Sequence, residues 1–366
     1  MRDAAYIQAI ATAVPPTSVT QEAALAFMLR HLALGDAERA FVQRVYSGSG
    51  IERRHTVIED FGRESADVGF FARNQGLNSS PSTSERNTLF RRHANELAAE
   101  ALGRLFDRAE IRAGEITHLV TASCTGFSAP GFDCHVVTAL GMDPTVQRFH
   151  LGFMGCFAAL PALRLADHIC RSAPGARVAV LTVELCTLHF TAGTSRETIV
   201  TQSLFSDGAA AALVVADRGV GGSPLYALRS FASRILPGSA GAMTWVIGDH
   251  GFEMGLTAAV PGLVGRHMRE AVEAQCRAGG IAPSDLRHWA VHPGGRAILD
   301  KAAEELGMPH ERFGASYGVL RDHGNMSSAT LLFVLEALAK DSGSGPVFSA
   351  AFGPGLTVES ALLERP

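Results

Sequence analysis

Two periods of apolar spacing alternate along the chain. Runs rich in β-branched and apolar residues at 5–14, 117–123, 177–185, 209–216, 289–292 and 346–351 read as strands. Between them, apolar positions within 84–106, 157–170, 263–278, 295–306 and 327–340 recur at helical spacing. Strands alternating with helices predict an α/β protein whose sheets are covered by helices. The halves also end alike. FSDGAAAALVV at 205–215 and FSAAFGPGLTVE at 348–359 each carry a Gly-containing turn into a strand, which points to an internal duplication. The boundary is expected at the Gly-rich link RGVGGSP, 218–224, giving halves of 1–220 and 221–366. The polar stretch 62–84 reads as a surface excursion rather than a domain.

Composition narrows the class. Of 366 residues, 47% are hydrophobic and 19% charged, which fits a folded globular chain and not a disordered one. A formal net charge of −4 argues against a dedicated nucleic-acid binder. The longest clear apolar run, 209–216, has eight residues, far short of a membrane span. Asp3 and Gln8 interrupt the stretch where a signal peptide needs apolar residues, so a cytoplasmic protein is expected. Gly accounts for 38 residues and aromatics for only 7%, a balance suited to close backbone packing and tight turns. The six cysteines lack the spacing of a disulfide framework.

Three short segments can carry chemistry. Cys156 follows the strand-like run VQRFHLGFMG and precedes a helical pattern, where backbone N–H groups and the helix dipole favour a thiolate. Gly155 permits a tight turn before it, and Pro161 requires the helix to start around 158–160 or to kink. Any cysteine taken alone is more often a packed small hydrophobe, and Cys170 and Cys276 are expected to be that. His292 ends an apolar strand before Pro-Gly-Gly and a helix, as the second-half counterpart of the Cys156 elbow. Asn325 follows Gly324, with Ser327 and Ser328 placed to cap the next helix; alone it reads as a turn or cap residue. Together the three elbows change the picture. Strand-end loops of α/β sheets assemble active sites, and a thiol, an imidazole and an amide make a coherent acyl-transfer set.

Other chemistries fit less well. No Cys pair has zinc-site spacing, and Asp133-Cys134-His135 puts neighbours on opposite faces of any regular element. A papain-like hydrolase would show its own motif around the cysteine, and nucleotide phosphate loops lack their glycine patterns.

GCFAALPALRLA around Cys156, VHPGGRAILD around His292, GNMSSATLLFVLE around Asn325, AFGPGLTVES near the C-terminus and SLFSDGAAAALVV resemble the type III polyketide synthases, the chalcone-synthase-like enzymes of the thiolase fold. The resemblance runs from about residue 7 to residue 363 and includes the 33-residue spacing from His292 to Asn325. It implies a homodimer of duplicated αβαβα chains. No metal or organic cofactor is implied, because coenzyme A thioesters (acyl-CoA and malonyl-CoA) are the substrates; an acyl carrier protein is the alternative donor. Carried over, Cys156 is the nucleophile that takes the starter acyl group and His292 pairs with it as imidazolium. His292 and Asn325 stabilise the enolate left when malonyl-CoA loses carbon dioxide. Phe205 matches the gatekeeper aromatic between the CoA tunnel and the cavity, Phe352 a second wall aromatic, and Pro354 the loop beside it.

Departures from the plant pattern bear on the product. Cys124, Cys186 and His189 replace threonines, Ala129 replaces a Met that reaches across the dimer, and Trp245 replaces a Gly of the cyclisation pocket. WVIGDHGFEM resembles bacterial alkylpyrone and alkylresorcinol synthases, so a medium or long acyl-CoA starter is expected, with room left by Ala129, Ala158 and Ala159. Arg53 and Arg54 fall where the family meets CoA phosphates; a solvated charged pair is the competing reading. The functional alternatives are a chalcone-like or malonyl-primed synthase and a single-condensation ketosynthase using carrier-bound chains.

Overall fold

The computed structural model describes residues 5–62, 69–71, 80–220 and 222–366, so most of the excursion expected at 62–84 lies outside the described residues. The first half runs β1 (Tyr6–Ala13), β2 (Ser18–Thr20), α1 (Gln21–His31), α2 (Asp36–Gly48), β3 (Arg53–His55), α3 (Thr83–Ala109) and β4 (His118–Ser123). It continues through α4 (Phe132–Ala139), β5 (Gln147–Gly152), α5 (Ala159–Ser172), β6 (Arg177–Leu185), α6 (Arg196–Leu204) and β7 (Asp207–Val215). The second half begins β8 (Tyr226–Ile235), β9 (Met243–Gly248), β10 (Gly251–Leu256), α7 (Val260–Gly279) and β11 (His288–Val291). It ends α8 (Arg296–Leu306), α9 (Gly314–His323), α10 (Thr330–Ala339), β12 (Gly345–Gly353) and β13 (Thr357–Arg365).

Nine strands form one sheet in the order β11-β12-β13-β8-β1-β7-β6-β4-β5, and the duplication is visible in it. In the first half β4 is parallel to β6, β6 antiparallel to β7, and β7 antiparallel to β1. In the second half β11 is parallel to β12, β12 antiparallel to β13, and β13 antiparallel to β8. The series meet where β1 pairs with β8 at Tyr6–Ala227 and Ile7–Tyr226.

Alternate residues of each strand face different helices, which is why these strands read as unbroken apolar runs. In β7, Ala209, Ala211 and Leu213 pack with Ala94, Ala98 and Leu105 of α3. Ala210, Ala212 and Val214 face α5 and α10 through Leu160, Leu163, Leu331 and Leu335. That middle layer also receives Ala290, Val347 and Leu363 from the second half, while Trp289, Phe348 and Leu362 point to Val264, Met268 and Leu299 of α7 and α8. The layers therefore stack αβαβα, as the resemblance implies.

Local sequence explains the ends of the key helices. Pro161 falls in the first turn of α5, where its missing N–H is harmless, so the helix starts at Ala159 without a kink. The helix expected over 327–340 is split. Ser327 has φ +48°, residues Ser327–Ala329 form a 3₁₀ turn, and α10 begins at Thr330.

The matching of elbows inferred from sequence is corrected by the topology. His292 ends β11, whose first-half equivalent is β4, so its counterpart lies at Cys124. Cys156 leads into α5, which occupies the middle layer with α10, so its counterpart is Asn325. The strand–glycine–helix pattern looks the same at all three places, and only strand order separates them.

All nine residues of β7 are buried, and its alanines let helices approach both faces. Replacing Ala211 by Leu should therefore overpack the α3 face and cost about 1–3 kcal/mol. Urea unfolding reads this as a lower midpoint, and an unchanged midpoint would show the layer to be loosely filled.

Candidate active site

Cys156 sits just before α5, buried, with only 6% of its surface exposed. Gly155 holds φ +81°, and a Cβ on it would lie 2.4 Å from Cδ of Pro354. The glycine thus serves both the turn and the close approach of the GPG loop. The side chains of Ser327 and Asn325 favour the thiolate, yet burial outweighs them and pushes the thiol up to about 12.

Asn325 is held on every side. Its N–H donates to Leu204 O at 2.9 Å, its carbonyl accepts from Ser206 N at 2.9 Å, and its Oδ1 accepts from Ser327 N at 2.9 Å. Its Nδ2 donates to Gly294 O at 3.2 Å, and Gly294 N donates to the carbonyl of His292 at 3.0 Å. His292 extends the β11–β12 pairing by donating its N–H to Ala350 O at 2.8 Å. Its ring is 1% exposed, both nitrogens lack a partner among the described residues, and burial holds it down to about 3. Asn325 and His292 are thus linked through Gly294.

Behind the thiol lies a carboxylate that the sequence reading missed. Glu184 is fully buried and accepts hydrogen bonds from Cys124 N at 3.1 Å, Thr125 Oγ1 at 2.9 Å and Ser328 Oγ. Burial raises its pKa while these bonds oppose the rise. Cys124 Sγ lies 3.4 Å from both Glu184 oxygens and 3.3 Å from Ser327 Oγ. Ser327 and Ser328, expected as helix caps, are turned into the site instead: Asn325 Oδ1 takes the Ser327 amide, and both hydroxyls serve this network. The one signal in the sequence was a lone acid near the end of the apolar run RVAVLTVEL.

The thiol opens on a cavity of about 420 Å³. Cys124, Cys186, His189, Phe205, Trp245 and Pro354 all line it, as anticipated. Trp245 is fixed by its indole N–H on Cys124 O at 2.7 Å and meets His189 edge-on at 5.3 Å. His189 stacks on Phe252 at 4.1 Å, with Nε2 2.8 Å from Thr125 O and Nδ1 accepting from Phe252 N at 2.9 Å. The ring is therefore a neutral linker between hairpin and core, held down to about 3 by burial. Further along, Val19, Ala24, Met28, Phe61 and Phe190 form an apolar pouch under α1.

Phe352, the three alanines and Arg54 are placed differently from expectation, and Arg53 is not. Phe352 is in the core with Trp289 and Phe348, on the α7–α8 face of β12, because alternation along that strand turns it away from the cavity. Ala129 is exposed, and Ala159 packs in the middle layer, so neither makes room in this cavity, and Ala158 does not line it. Arg53 is exposed with Nη1 on Ser18 Oγ at 2.8 Å. Arg54 points inward: its Nη1 donates to Gln202 O at 2.7 Å and Phe205 O at 3.0 Å, so it is not presented to solvent as a phosphate contact.

Burial, reinforced by the Glu184 carboxylate, keeps the thiol protonated, and a neighbouring positive charge would oppose both. Iodoacetamide inactivation measured against pH should therefore shift to higher pH in His292→Gln. Coincident profiles would mean that the imidazole contributes no charge to the thiol.

Comparison with known proteins identifies the family. The profile of the N-terminal domain of chalcone and stilbene synthases matches residues 1–218, and that of the C-terminal domain matches residues 227–365. A bisdemethoxycurcumin synthase of Oryza sativa subsp. japonica is 36% identical over 98% of this chain and 92% of its own. Pks18 of Mycobacterium tuberculosis, described as an alpha-pyrone synthesis polyketide synthase-like protein, is 32% identical over 98% of this chain and 91% of its own. Among solved structures, the C-terminal type III polyketide synthase domain of Steely1 from Dictyostelium superposes with a TM-score of 0.92 at 26% identity, covering 99% of both chains. PKS-I from the brown alga Ectocarpus siliculosus gives 0.91 at 27% identity, covering 100% of this chain and 99% of its own.

Proposed function

Because the chain belongs to the chalcone and stilbene synthase family of type III polyketide synthases, a family of acyltransferases with the thiolase-like fold, we propose that it extends a medium or long acyl starter with malonyl-CoA and closes it to an alkylpyrone or alkylresorcinol. The observation that carries the acyl specificity is the aliphatic and aromatic pouch under α1, continuous with the cavity at Cys156.

Cys156 attacks the starter thioester carbonyl, and the coenzyme A thiolate leaves with the electron pair of the broken C–S bond. Malonyl-CoA then loses carbon dioxide, and the electrons of the C–C bond pass to the thioester oxygen as an enolate. The Asn325 amide and the ring of His292 are the donors for that oxygen, already fixed by their backbone bonds, so little reorganisation is needed when charge develops. The enolate carbon attacks the Cys156 thioester, the cysteine thiolate leaves, and the longer chain on coenzyme A returns to Cys156 for the next round. Phe205 stands between this chamber and the approach of the thioester. The burial that disfavours charge on both His292 and Cys156 also strengthens their attraction once a proton has passed between them.

The thioesters bring their own activated carbonyl, so this reading assigns no metal or organic cofactor. It places the protein in the cytoplasm as a homodimer of two-halved chains, 1–220 and 221–366. Two features support the dimer: edge strand β5 is largely uncovered, and Phe149 on it is an exposed aromatic at 40%. Arg53 remains available to coenzyme A phosphates.

Purified protein incubated with acyl-CoAs of graded length and labelled malonyl-CoA should give alkylpyrone or alkylresorcinol products by mass spectrometry. Ala24→Phe, which fills the pouch, should move acceptance to shorter starters, and Trp245→Ala should allow more extensions by enlarging the chamber. Use of aromatic starters alone, of malonyl-CoA alone, or of carrier-bound chains for a single condensation would replace this reading with one of its alternatives.

A further inference from the structure

Among the described residues that line the cavity, Arg54 is the one cation whose geometry fits neither the substrate wall nor a phosphate contact. It projects from β3 to the C-terminal end of α6, where the last carbonyls of a helix have no internal partners and the helix dipole is negative. Its Nη1 bridges Gln202 O and Phe205 O, its guanidinium lies 5.8 Å from the centre of the Tyr46 ring, and its stem fills the space beside Gly324. A Cβ on Gly324 would come within 3.0 Å of both Arg54 Cγ and Leu204 O.

The neighbouring residues continue the same seam. His55 N donates to Ser206 Oγ at 2.9 Å, Ser206 Oγ donates back to His55 O at 2.9 Å, and Val57 N donates to Asp207 Oδ2 at 2.8 Å. Residues 54–57 therefore run beside 202–207, and 204–206 clasp Asn325 from the other side. One side chain touches the segments that carry both Phe205 and Asn325.

We propose that Arg54 is a positioning residue: by capping α6 and packing against Gly324 it sets the Phe205 carbonyl and the Asn325 amide in one fixed relation, and it does not bind coenzyme A phosphates. The inference rests on the role given above to Asn325 in stabilising the enolate. Its test is starter-independent decarboxylation of malonyl-CoA by the full chain, followed as labelled carbon dioxide.

Arg54→Gln should lower kcat about tenfold and leave KM for malonyl-CoA within about twofold, the pattern of lost transition-state geometry. Arg54→Lys keeps a cation at the helix end but bridges the carbonyls poorly, so it should recover part of kcat at the same KM. A raised KM with unchanged kcat would overturn the proposal in favour of a phosphate contact, and unchanged values of both would overturn it outright. Should Arg54→Gln fail to accumulate folded, Arg54→Lys decides: reduced kcat at an unaltered melting temperature supports the brace, and unaltered kcat overturns it. Absence of carbon dioxide release by the unsubstituted protein would instead overturn the enolate role itself, and the brace with it.

Discussion

Two backbone hydrogen bonds, Asn325 N–H to Leu204 O and Ser206 N–H to Asn325 O, join the halves of the molecule at the point where the site is assembled. Each is worth only about 0.5–1.5 kcal/mol net, but leaving either pair buried and unmade would cost more. Their value is geometric. They tie the segment around Phe205 in the first half to Asn325 of the second, whose side-chain amide in turn fixes Ser327 and reaches Gly294. The thiol before α5 completes the set, because α5 and α10 share the middle layer and present their N-terminal ends to one place.

The same burial that orders these groups makes their charges expensive. Glu184, Asp207, His189 and His292 are all nearly inaccessible, and burial shifts each toward its neutral form. The protein meets this in two ways. Glu184 and Asp207 collect hydrogen bonds from surrounding amides and hydroxyls, Asp207 from Val57 N at 2.8 Å, Thr187 N at 2.8 Å and Thr187 Oγ1 at 2.6 Å. The ring nitrogens of His292 have no such partners among the described residues. The two carboxylates are thus satisfied by protein donors, whereas the imidazole of His292 is not.

Much of this was legible in the sequence, and the reasons are physical. Strands buried on both faces betray themselves as continuous apolar runs, which is why β1, β4, β6, β7, β11 and β12 were found close to their observed limits. By contrast β8 and the β9–β10 hairpin are partly exposed and mixed in composition, so no period marks them. The three reactive residues stood out because glycines at strand and helix ends are needed for turns such as that at Gly155. Their neighbours did not. Ser327 looked like a cap because local spacing cannot say that its amide is already taken by Asn325 Oδ1. Phe352 was placed on the wall because motif position does not reveal which face of β12 a side chain uses. Arg54 and Arg53 are adjacent in sequence, yet strand alternation sends one inward and leaves the other in water.

The narrow seam between the half-sheets has a consequence for how the chain is made. β1 lies between β7 and β8, so it finds its partners only after Val215 and Tyr226 have followed it in synthesis. Until then an apolar segment buried almost throughout in the finished protein has no sheet to join. Pairing over such a separation is slow because chain closure must come first. Synthesis of this protein therefore includes an interval in which β1 stays unpaired until β7 and β8 have both been made.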